Sequence, residues 1–258
     1  TGFLYNTKYV TREEASTWTS LWNKKFDKKL LIKDAFRDVY SPLLIYANQE
    51  RLAAGKVTLD ELMHDASDES IAVVEALLKK AKPYVAGWEA DFGKEVMTKE
   101  KAWLNLSWSG DAAWAIEEAD AVDVKLDYVV PKEGSIMWFD GWVIPKYAKN
   151  PRAARYFINY MCAPENAVRN MDATGYVSVV ATEEVLRAMD PMLAAMDETE
   201  DEAELAALRA ERDALLEQEG VDLSYFFKDD QGNPLTFDMG DGYIVDASCV
   251  YVDPIMYP

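Results

Sequence analysis

The chain has 258 residues, half of them hydrophobic, and 46 acidic against 27 basic side chains give a formal net charge of −19. That length suffices for one large domain or two small ones with a substantial core, and the charge argues against a nucleic-acid partner, which needs basic patches over phosphates. One histidine, His64, and two cysteines, Cys162 and Cys249, that form no C-x-x-C argue against a zinc site, a histidine triad or a thioredoxin-like motif, so neither metal nor cofactor is expected.

The same acidic field attracts small cations, although an acidic surface kept for solubility fits it equally. A disulfide between the two cysteines stays open. No apolar run approaches the roughly 20 residues that span a bilayer, no signal peptide is visible, and Thr1-Gly2-Phe3-Leu4-Tyr5 reads as an interior strand.

Phe3 to Asn6 is strand-like. Ser16 to Trp22 reads as a short capped turn, in which the i, i+4 spacing of Trp18 and Trp22 predicts core packing. Leu30-Leu31-Ile32 is a short strand. A helix follows through about Ala54, with Asp34 as its expected N-cap, Pro42 in its first turn or at a kink, and Asp38 directed either to solvent or into a cleft. Thr58 to Lys82 carries two helical segments parted near Ser67-Asp68, the second with Ile71, Val74, Leu77 and Leu78 on one face; His64 reads as a surface residue. Pro83 ends the second helix and Tyr84 to Trp88 is the next strand. Strands and helices alternating at these lengths imply an α/β architecture around a mostly central sheet.

The densest chemistry lies between Lys101 and Pro145. Twice an apolar run there ends on a tryptophan with an aspartate close behind, at Trp108/Asp111 and Trp138/Asp140. Trp103 to Trp108 reads as a strand, Ser109-Gly110-Asp111 as a tight turn, and Ala112 to Ala119 as a helix with Asp111 near its start, where a carboxylate is favoured. Lys125 to Val130 is another strand, Pro131 to Gly134 a turn, and Ile136 to Ile144 an expected buried strand, apolar except for Asp140. A carboxylate in such a strand needs a positive or donating partner. Tryptophan–carboxylate pairs suit a small organic cation, because a π face attracts an ammonium by roughly 0.5–2 kcal/mol and a carboxylate adds charge-assisted hydrogen bonds.

Asn150-Pro151 then starts a helix with Pro at its first position and Tyr156, Phe157 and Tyr160 on its apolar face. A second helix runs to Asp172, and Thr174-Gly175-Tyr176 leaves it through a C-cap glycine. Thr182 to Gly220 is expected to be helical, acidic around Asp197 to Glu204, and solvated as a single helix or a helical hairpin. Tyr225 to Phe227 and Leu235 to Phe237 flank a turn at 229–234, a hairpin pattern whose aspartates do not fit an EF-hand.

In combination, LYNTK, STWTSLWNKKF, KDAFRDVY, LSWSGDAAW, VVPKEGSIMWFDGWVIP, NPRAARYFINYMCAPENA and ATGYVS resemble the extracytoplasmic spermidine/putrescine-binding proteins of ABC importers, which have the type II periplasmic-binding-protein fold. The resemblance covers roughly residues 1–180. It implies two α/β lobes clamping a polyamine, delivery to permease subunits in the membrane, and an extracytoplasmic location, periplasmic or at the cell surface. Carried onto this sequence, Trp108 would wall the cleft, Asp111 would meet an ammonium, Trp138 would stack on the methylene chain, and Asp140 would hold an ammonium. Asp38 would match the acid at the head of the helix after the short strand, and Tyr176 the cleft tyrosine of the G-Y turn. An acid at the Asp111 position leans toward a short diamine. Some members carry a second carboxylate where Ala35 stands, and the region from 182 to 240 does not follow the pattern.

The resemblance also implies that most of a first lobe is missing: residues 1–138 and 178–258 would form the second lobe, with an acidic insert at about 182–220, and 139–177 would belong to the first. Tyr156, Phe157 and Tyr160 would then be exposed and favour self-association. Two other readings of the same residues are a binding protein for another small cationic or neutral solute, and a glycoside hydrolase using Asp38, Asp111 and Asp140 as acid and base.

Overall fold

A period of two in the short apolar runs sends alternate side chains to opposite faces of one sheet. Phe3 and Tyr5 join Leu30, Ile32, Leu104 and Leu106 in one buried layer, while Leu4 and Leu31 join a second. The five strands are β1 (Gly2–Asn6), β2 (Leu30–Lys33), β3 (Val85–Glu89), β4 (Leu104–Ser107) and β5 (Leu126–Val129), in the order β3-β2-β4-β1-β5. β2 is parallel to β3 and β4, whereas β1 runs antiparallel to β4 and β5. Lys33, Glu89, Ser107 and Val129 therefore end their strands on the edge where Gly2 begins β1. The computed structural model describes residues 1–180, 182, 185, 188, 190–199, 201–216, 221–222, 231, 236–238, 244–246 and 251–252.

The helices follow as α1 (Arg12–Ala15), α2 (Phe36–Ala47), α3 (Gln49–Ala53), α4 (Leu59–His64), α5 (Asp68–Ala81), α6 (Gly93–Thr98), α7 (Ser109–Asp120), α8 (Pro151–Met161), α9 (Pro164–Thr174), α10 (Pro191–Glu198) and α11 (Glu202–Leu216). No helix among the described residues is long and apolar enough to cross a membrane. Two compact units divide the chain, 1–154 with 171–176 and 155–170 with 177–258.

In the first unit, α2, α4 and α5 cover one face of the sheet through Val39, Leu43, Leu62 and Val74, together with Trp18 and Leu21 of a 3-10 turn. Trp18 is fully buried and its indole donates to Gly134 O at 2.8 Å; Trp22 packs at the margin and donates to Leu77 O at 2.8 Å. Both tryptophans thus serve the core, as their spacing predicts. α6 and α7 cover the other face with Met97, Ala112, Ala115 and Ala119. Small alanines there bring α7 close to the sheet, and with it everything attached to its first turn.

Three expectations need correction. Asp34 does not cap the helix after β2: Ala35 holds that position without a side-chain bond, because the β2–β3 ladder runs one residue further and Asp34 N donates to Glu89 O at 2.8 Å. Pro42 falls in the second turn of α2. Ile136 to Ile144 is not a buried strand; Trp142 and Val143 are 62% and 83% exposed. Apolarity alone does not make a strand, which needs a hydrogen-bonding neighbour, and among the described residues neither edge of the sheet supplies one. The start of this segment is pinned by Ser135 Oγ donating to Thr1 O and Thr1 N donating to Ile136 O at 3.2 Å.

In the second unit, Asp190 caps α10, accepting from Met192 N and Leu193 N at 3.0 and 3.1 Å, and pairs with Arg212 of α11 at 2.7 Å. The acidic region is thus two packed helices parted at Thr199. The expected hairpin has its first arm and, apart from Gln231, its turn outside the described residues; Thr236–Asp238 pairs instead with Ile244–Asp246. Cys249 also lies outside them.

Candidate functional site

The alternation that buries Leu31 also turns Lys33, two residues on, toward the α6–α7 side. Lys33 is 1% exposed. Its Nζ lies 2.6 Å from Ala90 O, 2.8 Å from Asp111 Oδ2 and 3.1 Å from Glu89 Oε1, and 3.9 Å from the centroid of the Trp108 ring. Lys94 Nζ reaches the other oxygen of the same carboxylate, Asp111 Oδ1, at 3.1 Å. Glu89 is held further by Gly93 N at 3.0 Å and by Asn105 Nδ2 at 3.3 Å, while Asn105 Oδ1 is buried without a partner among the described residues. Taking these charges out of water costs several kcal/mol per ion, which only good mutual geometry offsets. Here each ion has at least two partners.

Trp108 and Asp111 therefore do converge, as the strand–turn–helix reading implies, and they already hold a cation that belongs to the chain. Trp108 occupies the N-cap position of α7 and Asp111 its first turn, so the fixed helix start sets their spacing.

Tyr176 arrives from the end of α9. Gly175, at φ +73°, closes that helix by donating to Met171 O at 2.8 Å. A Cβ on Gly110 would stand 2.2 Å from the Tyr176 ring, and one on Gly175 would stand 2.5 Å from Gly110 O. Two glycines far apart in sequence thus let this turn press against the start of α7. Burial pushes the Tyr176 phenol above its usual range, and the charge of Asp111 adds to that; Asp140 and Asp38 push the same way. Tyr128, packed where a Cβ on Gly2 would fall, is raised by burial first and then by Tyr176. All three aspartates singled out in the sequence act on one hydroxyl.

Asp38 accepts from Thr1 Oγ1 at 3.1 Å, and Asp140 accepts from the indole N–H of its own neighbour Trp138 at 3.3 Å. Trp138 is half-buried and Asp140 exposed. Sequence reasoning missed Lys33, Glu89, Asn105, Lys94 and Tyr128. The parity of Lys33 with Leu31 was the available signal for the first. A cavity of about 230 Å³ opens on the opposite side of β2, beside Asp34, Phe36, Tyr40, Val74 and Trp88, and none of the six expected site residues lines it. Among the described residues, no three His, Cys, Asp or Glu side chains gather as a metal site requires.

Residues 1–198 match the family model described as bacterial extracellular solute-binding protein. The spermidine/putrescine-binding periplasmic protein of Escherichia coli K12 is 29% identical over 167 residues, 65% of this chain and 43% of that protein. A putrescine/cadaverine-binding protein of Pseudomonas aeruginosa is 29% identical over 137 residues, 52% of this chain and 39% of its own length. The chain thus spans less than half of these curated relatives. A substrate-binding protein of a spermidine/putrescine ABC transporter from Streptococcus pneumoniae, solved with calcium and HEPES, superposes with a TM-score of 0.53 at 26% identity over 83% of this chain and 66% of that one. A spermidine/putrescine ABC transporter structure from Listeria monocytogenes gives a TM-score of 0.59 at 26% identity, covering 81% and 64%.

Proposed function

Because the chain belongs to the bacterial extracellular solute-binding proteins, a family of transport components with the type II periplasmic-binding-protein fold, we propose that it captures a linear polyamine such as putrescine or spermidine and delivers it to ABC permease subunits. The names of its relatives support this ligand class and, with it, an extracytoplasmic location. One observation carries the reading: Trp108 and Asp111 converge at the start of α7, where the Tyr176 ring packs against Gly110. Asp140 meets no lysine or arginine among the described residues and Asp38 faces the charge of the Thr1 ammonium, so a ligand ammonium would complete Asp140 first through charge-assisted hydrogen bonds. Trp138 and Trp108 provide the apolar walls along the alkyl chain. Asp111, with both oxygens on lysines, serves the site through them.

Net acidity draws the cation in, and closure of opposing lobes shifts the population toward the state a transporter reads. From the resemblance we assign 1–138 and 178–258 to one lobe and 139–177 to the other, a division that differs from the two compact units, 1–154 with 171–176 and 155–170 with 177–258. The exposed apolar face of α8, with Tyr156, Phe157 and Tyr160 at 63%, 47% and 58%, supports this, since such a face favours burial by the other lobe or, in the isolated chain, self-association. No hydrolysis of glycosides accompanies binding, because Asp111 is committed to Lys33 and Lys94.

Isothermal titration of the full-length protein with putrescine and spermidine tests the reading. Binding well below millimolar, weakened at least tenfold in Asp140→Asn and Asp38→Asn, is expected. No heat at sub-millimolar amine sinks the assignment.

A further inference from the structure

We infer that Lys33 is a resident ammonium filling the Trp108–Asp111 half of the site, so that this half takes no ammonium of a linear amine. This rests on the reading above that the site takes an organic cation. The geometry is that of a bound alkylammonium: a buried Nζ faces the Trp108 ring at 3.9 Å, with one oxygen of Asp111, one of Glu89 and a backbone carbonyl around it at 2.6 to 3.1 Å. Those contacts match the recognition expected for a ligand amine, and a side chain of this sequence supplies the amine.

Charge bookkeeping in this half leaves nothing for a second guest. Lys33 and Lys94 balance Glu89 and Asp111, and both Asp111 oxygens are engaged. A ligand ammonium arriving here would meet two like charges and a ring face already covered. The other half differs. Asp38 accepts from a hydroxyl and Asp140 from an indole N–H, both neutral donors that a cation can outbid. Lys33 is thereby a specificity-determining residue: it keeps the cationic ends of the guest out of the Trp108–Asp111 half and leaves Trp138, Asp38 and Asp140 to meet one.

The test compares two guests that differ only at one end, putrescine and 4-aminobutan-1-ol, by calorimetric titration of the full-length protein. In Lys33→Met, Oδ2 of Asp111 is freed while Lys94 keeps Oδ1, and putrescine should gain at least fivefold over the amino alcohol relative to the wild type. Because that variant leaves buried carboxylates short of a partner, the charge-balanced pair Lys33→Met/Glu89→Gln is measured beside it, with thermal unfolding as the check on folding. An unchanged preference in folded Lys33→Met overturns the inference while leaving polyamine capture intact, and so does a fivefold gain in the paired variant, where Lys94 still balances Asp111. Binding of neither amine to any form removes the proposed function itself, and this inference with it.

Discussion

Replacing Gly110 by alanine should drive Tyr176 away from the start of α7. The added Cβ would stand 2.2, 2.3 and 2.5 Å from three atoms of the Tyr176 ring. Carbon atoms rest at about 3.5–4.0 Å, so the ring must retreat by more than about 1 Å or α7 must shift on the sheet. Overpacking of this kind costs about 1–3 kcal/mol. Alanine returns up to about 1 kcal/mol through its higher helix propensity, which leaves the single variant between neutral and about 2 kcal/mol less stable. A double-mutant cycle isolates the clash. In a Tyr176→Ala background the same substitution should be neutral or stabilising, giving a coupling of about 1–3 kcal/mol. Urea unfolding followed by circular dichroism supplies the four stabilities, and amine titration of the single variant should show weaker binding in parallel. An equal cost of Gly110→Ala with and without the tyrosine ring would refute the reasoning, because the steric partner would then lie elsewhere.

Trp18→Ala should cost about 3–5 kcal/mol in the same unfolding assay, since the side chain is fully buried against Phe3 and its indole holds Gly134 O; Trp18→Phe should recover part of that. The hydroxyl of Ser70, with Ser67, holds the Asp65 carboxyl down at about 2 from an ordinary value of 3.8. A depressed carboxyl contributes stability above the unfolded value, so this contribution should be intact above about pH 4 and fade as pH falls toward 2. Acid titration of Asp65→Asn, monitored by the melting temperature, should therefore be flatter than the wild type in that window; parallel curves would remove the role of Asp65 at the head of α5.

Much of the central sheet was legible because short runs such as Leu30-Leu31-Ile32 carry their own periodicity and are bounded by residues that stop a strand. Of the proposed site, the sequence showed the pairing of Trp108 with Asp111, which the strand–turn–helix pattern places together at the start of α7. Two features stayed hidden for physical reasons. A lysine closing an apolar strand reads as the place where the strand meets water, and that reading outweighs its parity with Leu31, which matches the burial of Lys33 in the structure. Ile136 to Ile144 failed for the opposite reason, since apolar composition reports a preference for burial and says nothing of whether a neighbouring backbone is available. The approach of Gly110 to Gly175 joins segments distant in the chain, and no local pattern announces it.

The position of β1 in the sheet has a consequence during synthesis. It is fully buried between β4 and β5, both of which leave the ribosome long after it. At roughly 5–20 residues per second, β1 waits on the order of ten seconds for β4 and β5. Through that interval it is a sticky, unpaired ribbon, and the nascent chain is most exposed to wrong pairing before residue 129 emerges.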